Sequence, residues 1–254
     1  MDKKLLILLL SVAMLFVLTA CSPAVENDEE NGEPVNGVND ENDENDENDE
    51  NDENDENDEN DEEGLSELPA PGELDYTQEG IIASEDAQMV IEERSYKTME
   101  AFKAMDQEKL ASLTHPEVGV RFTQYSHVNV EEDLVFTPEE METFFDDTEE
   151  YVWGQYDGVG GDIELTPSEY YEEFIYSQDF IDPEEIGYNE IVSDSGLVDE
   201  NQFEVYEDVI IVEYYFSGFE EDYDGMDWQS LRLAFQYYED TWLLVGVIHN
   251  QWTT

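Results

Sequence analysis

Hydrophobic residues fall into three regimes along the chain. Leu5 to Ala20 is a sixteen-residue run without a charge, and it follows Lys3 and Lys4. Between Ser22 and Gly64 apolar side chains almost disappear, leaving Ala24, Val25, Val35 and Val38. From Ser84 onward they return with regular spacing, first helical and then alternating, which marks the part of the chain able to build a core.

In that part Ala87, Val90, Ile91, Thr98, Ala101, Phe102 and Met105 recur at helical spacing and predict a long helix with Ser84 as its N-cap. Glu93 and Lys97, four residues apart, support its solvent face. A shorter helix, Asp106 to Leu113, stops at His115-Pro116, because a residue before proline is pushed out of the helical region. Val120 and Phe122 place a strand over Gly119 to Tyr125. Thr137-Pro138-Glu139-Glu140 and Thr166-Pro167-Ser168-Glu169 each join a capping threonine, a first-turn proline and a glutamate three residues on, so each starts a helix. Between them Tyr151 to Tyr156 reads as a strand entering a turn at Asp157-Gly158. Gly158, Gly160 and Gly161 belong to that loop and not to a phosphate cradle, which needs a following helix and lysine.

The last third is β-branched and aromatic. Strands are expected over Tyr188 to Val192, Val209 to Phe216, Ser230 to Tyr238 and Trp242 to Trp252, the last two joined at Glu239-Asp240. Leu231, Leu233, Phe235 and Tyr237 share one face. In the final strand Val245, Val247 and His249 share a face, with Leu244, Gly246 and Ile248 on the other. Both faces are largely apolar, which predicts a central strand. Helices first and strands after define an α+β class, with helices on one face of a curved, mainly antiparallel sheet. The expected organisation is 1–20 as signal peptide, 21–83 as a disordered acidic linker and 84–254 as a single α+β domain. About 170 residues suffice for one core.

This order of elements resembles the cone-like α+β fold of the ketosteroid-isomerase-like (nuclear transport factor 2-like) superfamily. His115 to Phe122, Met226 to Leu233 and Val247 to Trp252 look like segments of bacterial lipoprotein ectodomains of an uncharacterised family. The helices starting at Thr137 and Thr166 depart from the plain cone. At the other end of the chain, a basic start, a short apolar run and a small residue compose a secretory signal. Leu18-Thr19-Ala20-Cys21 is similar to a bacterial lipobox, which implies cleavage before Cys21 and lipid attachment, with fatty acyl chains such as palmitate, to its sulfur. Cys21 is the only cysteine, so the domain holds together without a disulfide.

Charge sharpens this picture. The chain carries 70 acids, 8 Lys plus Arg, and a formal net charge of -62. Nucleic acid and anionic lipid are thereby excluded as partners of any large basic surface. Residues 39–62 are an Asn-Asp-Glu triplet repeated eight times, with no apolar residue to offset the entropy of ordering. Fully extended, its 24 residues reach at most about 80 Å, a spacer between membrane and domain. From Leu65 on there are still 47 acids against six bases, so the acidity is not a property of the repeat alone and points to a high-salt habitat. The domain is therefore expected to melt at a lower temperature in about 0.05 M than in about 2 M salt, where the Debye length falls to a few ångströms. An unchanged midpoint contradicts salt adaptation.

Candidate chemistry is sparse. Beyond Lys109 only Arg121 and Arg232 are basic, and an arginine kept on a strand exploits its planar fork. Arg232 suits an ion pair with Glu213 on the neighbouring strand, or capture of an anionic ligand. His115, His127 and His249 lack the spacing of a metal site, and no cofactor or metal is expected. An isomerase- or dehydratase-like enzyme needs a pair such as His249 with Asp157. Glu220, Asp222 and Asp224 before Gly225 imitate the start of a calcium loop, but Leu231 stands where its bidentate glutamate belongs. Trp153, Tyr156, Trp228 and Trp252 suit a sugar- or peptide-binding groove, and core packing explains them equally well. The expectation is a lipid-anchored, extracytoplasmic, non-catalytic binding domain for a small molecule or envelope protein, with Arg121, Trp153, Tyr156, Trp228, Arg232 and His249 as ligand-binding candidates. The alternative is an extracytoplasmic enzyme using the cone pocket.

Overall fold

The computed structural model describes residues 68–193 and 200–252; the expected signal peptide, Cys21 and the triplet repeat lie outside the described residues. Helix α1 spans Ser84–Ala104 and buries Ala87, Val90, Ile91, Thr98, Met99, Ala101 and Phe102. Its start differs from the expectation. Ala83 is the N-cap without a side-chain bond, and Glu85 and Asp86 in the first turn complement the helix dipole instead. Met105 turns left-handed at φ 53° and stays exposed, so it ends the helix and does not extend its apolar stripe. Helix α2 (Gln107–Leu113) begins where the Asp106 carboxylate accepts the Lys109 amide at 2.9 Å. Both Thr-Pro capping boxes form, starting α3 (Pro138–Met141) and α4 (Pro167–Tyr170). The second runs on into a π-helical turn, Tyr171–Ile175.

The strands are β1 (Val120–Thr123), β2 (Val135–Phe136), β3 (Tyr151–Gln155), β4 (Asp162–Leu165), β5 (Glu185–Tyr188), β6 (Ile210–Phe216), β7 (Gln229–Tyr238) and β8 (Thr241–Gln251). A short helix, α5 (Gln202–Val205), precedes β6. β3 and β4 pair with each other, and the other six form one sheet in the order β2-β1-β8-β7-β6-β5. Only the β1–β8 contact is parallel. The fold is therefore α+β with a mainly antiparallel sheet, and β8 is an inner strand. β5 lies earlier than the strand expected over 188–192, because Asn189 takes a left-handed turn at φ 49°.

Alternation along β8 breaks once. Ala234 faces Gly246 while Phe235 faces Leu244, so Val245 is an extra residue. One extra residue exchanges the faces beyond it. Leu244 thus joins Val247 in the main core, and Val245 joins Ile248 on the opposite side, against the strict alternation expected. The main core unites the α1 stripe with Phe122, Leu231, Leu233 and Phe235. The other sheet face holds Val128, Tyr206, Val209, Ile211, Ala234, Val245 and Ile248, covered by Phe203 and Val205 of α5. Helical cover is therefore not confined to one face.

Residues 68–83, expected as linker, pack against the domain. Leu74 and Ile82 are buried, Tyr76 bridges Ile82, and the Trp242 indole donates to the Pro69 carbonyl at 3.1 Å. Leu68, Leu74, Tyr76, Ile81 and Ile82 follow no helical or alternating period, so nothing in the sequence signalled this.

Candidate functional site

The register of β1, β7 and β8 divides the candidate residues between two faces. Arg121 lies opposite Gly246 and Arg232 opposite Ile248, so both arginines share the face covered by α5. His249 alternates with them and shares the main-core side with Trp153.

Arg232 is fully buried and belongs to a polar cluster. Its Nε donates to Glu213 at 2.9 Å, and its Nη2 donates to Glu200 at 2.8 Å and to the Ser193 hydroxyl at 2.9 Å. Ser193 in turn donates to Glu213 at 2.6 Å, and the Val192 amide adds a bond at 2.7 Å. Gly187 permits this: a Cβ there would come within 2.3 Å of the Glu190 carbonyl and push away the turn that brings Val192 and Ser193 to the sheet. Burial alone pushes the Glu213 carboxyl up. The Arg232 charge and the bonds from Ser193 and Val192 outweigh it and hold the group below the usual carboxylate range. A buried cation shared by two carboxylates is structural through its Nε and Nη2, while its Nη1 is buried without a hydrogen-bond partner among the described residues.

Arg121 is pinned by carbonyls. Its Nη1 donates to Asp133 at 3.1 Å and to Val130 at 3.3 Å, tying the β1–β2 loop to the sheet. The Asp133 side chain accepts the Thr123 hydroxyl at 2.7 Å and the Asn129 amide at 2.9 Å, and burial pushes its carboxyl up. His115 uses Nδ1 to accept the Glu117 and Val118 amides.

On the other face aromatic rings fill the interior. Trp153 is 1% exposed and stacks on Tyr170 at 3.7 Å and on Phe136 at 5.6 Å, with its indole donating to the Leu165 carbonyl. Tyr170 stacks on Phe174, and Phe174 meets His249 edge-on at 5.6 Å. His249 is 1% exposed, and neither ring nitrogen has a partner among the described residues. Burial lowers its pKa to about 3, so the ring is neutral. Asp157 gives its amide to the Tyr125 hydroxyl, so the His249–Asp157 pair that an enzyme required is not formed. Tyr156 sits at the margin of the stack, its hydroxyl donating to Glu173 at 3.3 Å. Trp228 is buried beside Tyr215. The groove expected from Trp153, Tyr156, Trp228 and Trp252 therefore does not assemble; of the tryptophans among them, two are core, and Trp252 alone is left exposed.

Two surface features lay outside the sequence reading. A cleft of about 560 Å³ between the β1–β2 loop and the β3–β4 hairpin is lined by Gln124, Asn129, Glu132, Asp133 and Asp162, with an edge of Trp153 at its wall. The loop between β6 and β7 exposes Phe219, Tyr223 and Met226, and the exposed Trp252 is bonded through its amide to Trp228 at the loop's end. The signal for that loop was present, as apolar residues interrupting an acidic run without any period. Among the described residues no three or more His, Cys, Asp or Glu are grouped to hold a metal ion. Comparison with known proteins finds no family whose pattern matches the chain, and no curated protein or solved structure that matches it.

Proposed function

We propose that this chain is a lipid-anchored extracytoplasmic protein whose cone-like α+β domain binds an envelope partner without catalysing a reaction. Cys21 carries the lipid, and the Asn-Asp-Glu repeat is the spacer. Two or more acyl chains make such an anchor stable, whereas one is marginal. The observation that supports the non-catalytic reading most is the closed aromatic stack from Phe136 through Trp153 and Tyr170 to Phe174. It fills the side of the sheet where a cone-pocket enzyme needs space, and it leaves His249 without an acid to work with.

Partition of the full chain between detergent and water, with intact mass of each phase, tests the anchor. The wild type is expected in the detergent phase with acyl mass on Cys21, and Cys21→Ser in the aqueous phase. An unmodified wild type in water overturns it. Native mass spectrometry of the chain from cell extract tests the second half. A retained small molecule counts against an envelope partner and in favour of a small-molecule ligand or of the isomerase- or dehydratase-like alternative. The amide- and carboxylate-lined cleft has a volume within the range of ligand sites, roughly 300–1,000 Å³, and is the place such a molecule would occupy outside the filled cone.

A further inference from the structure

The β6–β7 loop runs from Ser217 to Trp228 and is folded on itself around one carboxylate. Asp227 accepts the Phe219 amide at 3.0 Å and the Glu220 amide at 2.8 Å, and the Met226 amide donates back to Tyr223. The loop is anchored at both ends. Ser217 is bonded to Glu184, and the Trp252 amide donates to the Trp228 carbonyl. On this fixed frame Phe219 is 44% exposed, Tyr223 55%, Met226 48% and Trp252 37%. Glu220, Asp222 and Asp224 are exposed between them. The loop contains no lysine or arginine, and the nearest in sequence, Arg232, is buried.

Three large apolar side chains held outward on one short, internally bonded loop are a candidate contact surface. The chemistry here is selective as well. Aromatic faces attract cations through the ring quadrupole, and carboxylates beside them add charge of the complementary sign. An anionic or purely apolar partner would have to desolvate three carboxylates without compensation. We propose that this loop, with Trp252, is a docking surface for a lysine- or arginine-rich polypeptide segment of an envelope protein. The inference rests on the partner-binding reading above and names the partner class. At high salt the diffuse attraction of the acidic domain is screened within a few ångströms, so contact with the rings carries discrimination.

The test titrates the full chain in detergent with fluorescent octalysine in about 1 M sodium chloride, with octaglutamine as the uncharged control. Octalysine is expected to bind, and octaglutamine to bind at least about tenfold more weakly. The double variant Phe219→Ser, Tyr223→Ser changes no charge and is expected to weaken octalysine at least about fivefold. Glu139→Gln, an exposed acid on α3, is expected to change nothing. Melting of each variant near the wild-type midpoint shows that the domain is folded. Equal binding by wild type and the double variant overturns the proposal in favour of diffuse acidity, and equal binding of the two peptides overturns the cationic partner. No binding of octalysine overturns it too. None of these results touches the lipid on Cys21, which the partition experiment reads separately.

Discussion

Arg232→Met is expected to destabilise the domain by about 3–5 kcal/mol, because it strands the buried Glu213 carboxylate and the Glu200 carboxylate without their cation. The side chains are 0% and 1% exposed for Arg232 and Glu213, so solvent cannot take over the lost interaction. For a domain of ordinary stability this is a large share of the total. Removing both charges in Arg232→Met, Glu213→Leu is expected to recover much of the loss, since a buried pair replaced by apolar side chains is often neutral. Urea denaturation of the two variants checks this. A single variant within about 1 kcal/mol of wild type would mean that the pair behaves like one on the surface.

The second large effect is acid sensitivity from His249. An unfolded chain protonates this imidazole near its ordinary value of 6.5, while the folded chain holds it neutral down to about 3. Its stabilisation is therefore complete above pH 6.5 and is lost as pH falls toward 3. The loss is about 1.4 kcal/mol per pH unit, reaching roughly 5 kcal/mol over the window. Between pH 6.5 and 5 the wild type should lose about 2 kcal/mol more than His249→Leu, which has no proton to take up. His115 is also lowered by burial, but it is common to both proteins and cancels in the difference. Glu213, held below the carboxylate range, acts in the same direction only at more acid pH. Parallel stability–pH curves for the two proteins would sink the argument.

Local signals carried far in this chain. Both Thr-Pro capping boxes form because their bonds are made within four residues and need nothing distant. The hairpin at Glu239-Asp240 forms for the same reason, both residues being left-handed at φ 43° and 72°. The Arg232–Glu213 pair was also legible, since acids vastly outnumber bases and a strand arginine has few uses other than an ion pair. What escaped were features set by long-range contact. The packing of residues 68–83, the extra residue at Val245 and the arrival of Ser193 and Glu200 at Arg232 depend on partners far away in sequence.

Candidate site residues divide along the same line. Residue type alone marked Trp153, Trp228 and His249 as chemically capable, but burial decides whether capability is used. A tryptophan stacked at 3.7 Å on a tyrosine presents no free face, and a histidine sealed behind Phe174 meets no solvent proton near neutrality. By itself the sequence determined the α+β class, the starts of the two Thr-Pro helices, the inner position of the last strand and the extreme negative charge. These follow from short-range periodicity, capping and counting. Only the tertiary structure decided which face each strand residue occupies, which polar groups are closed off and which aromatic side chains remain outside. Those outcomes hang on register and on the fit of distant segments, and no local pattern encodes either.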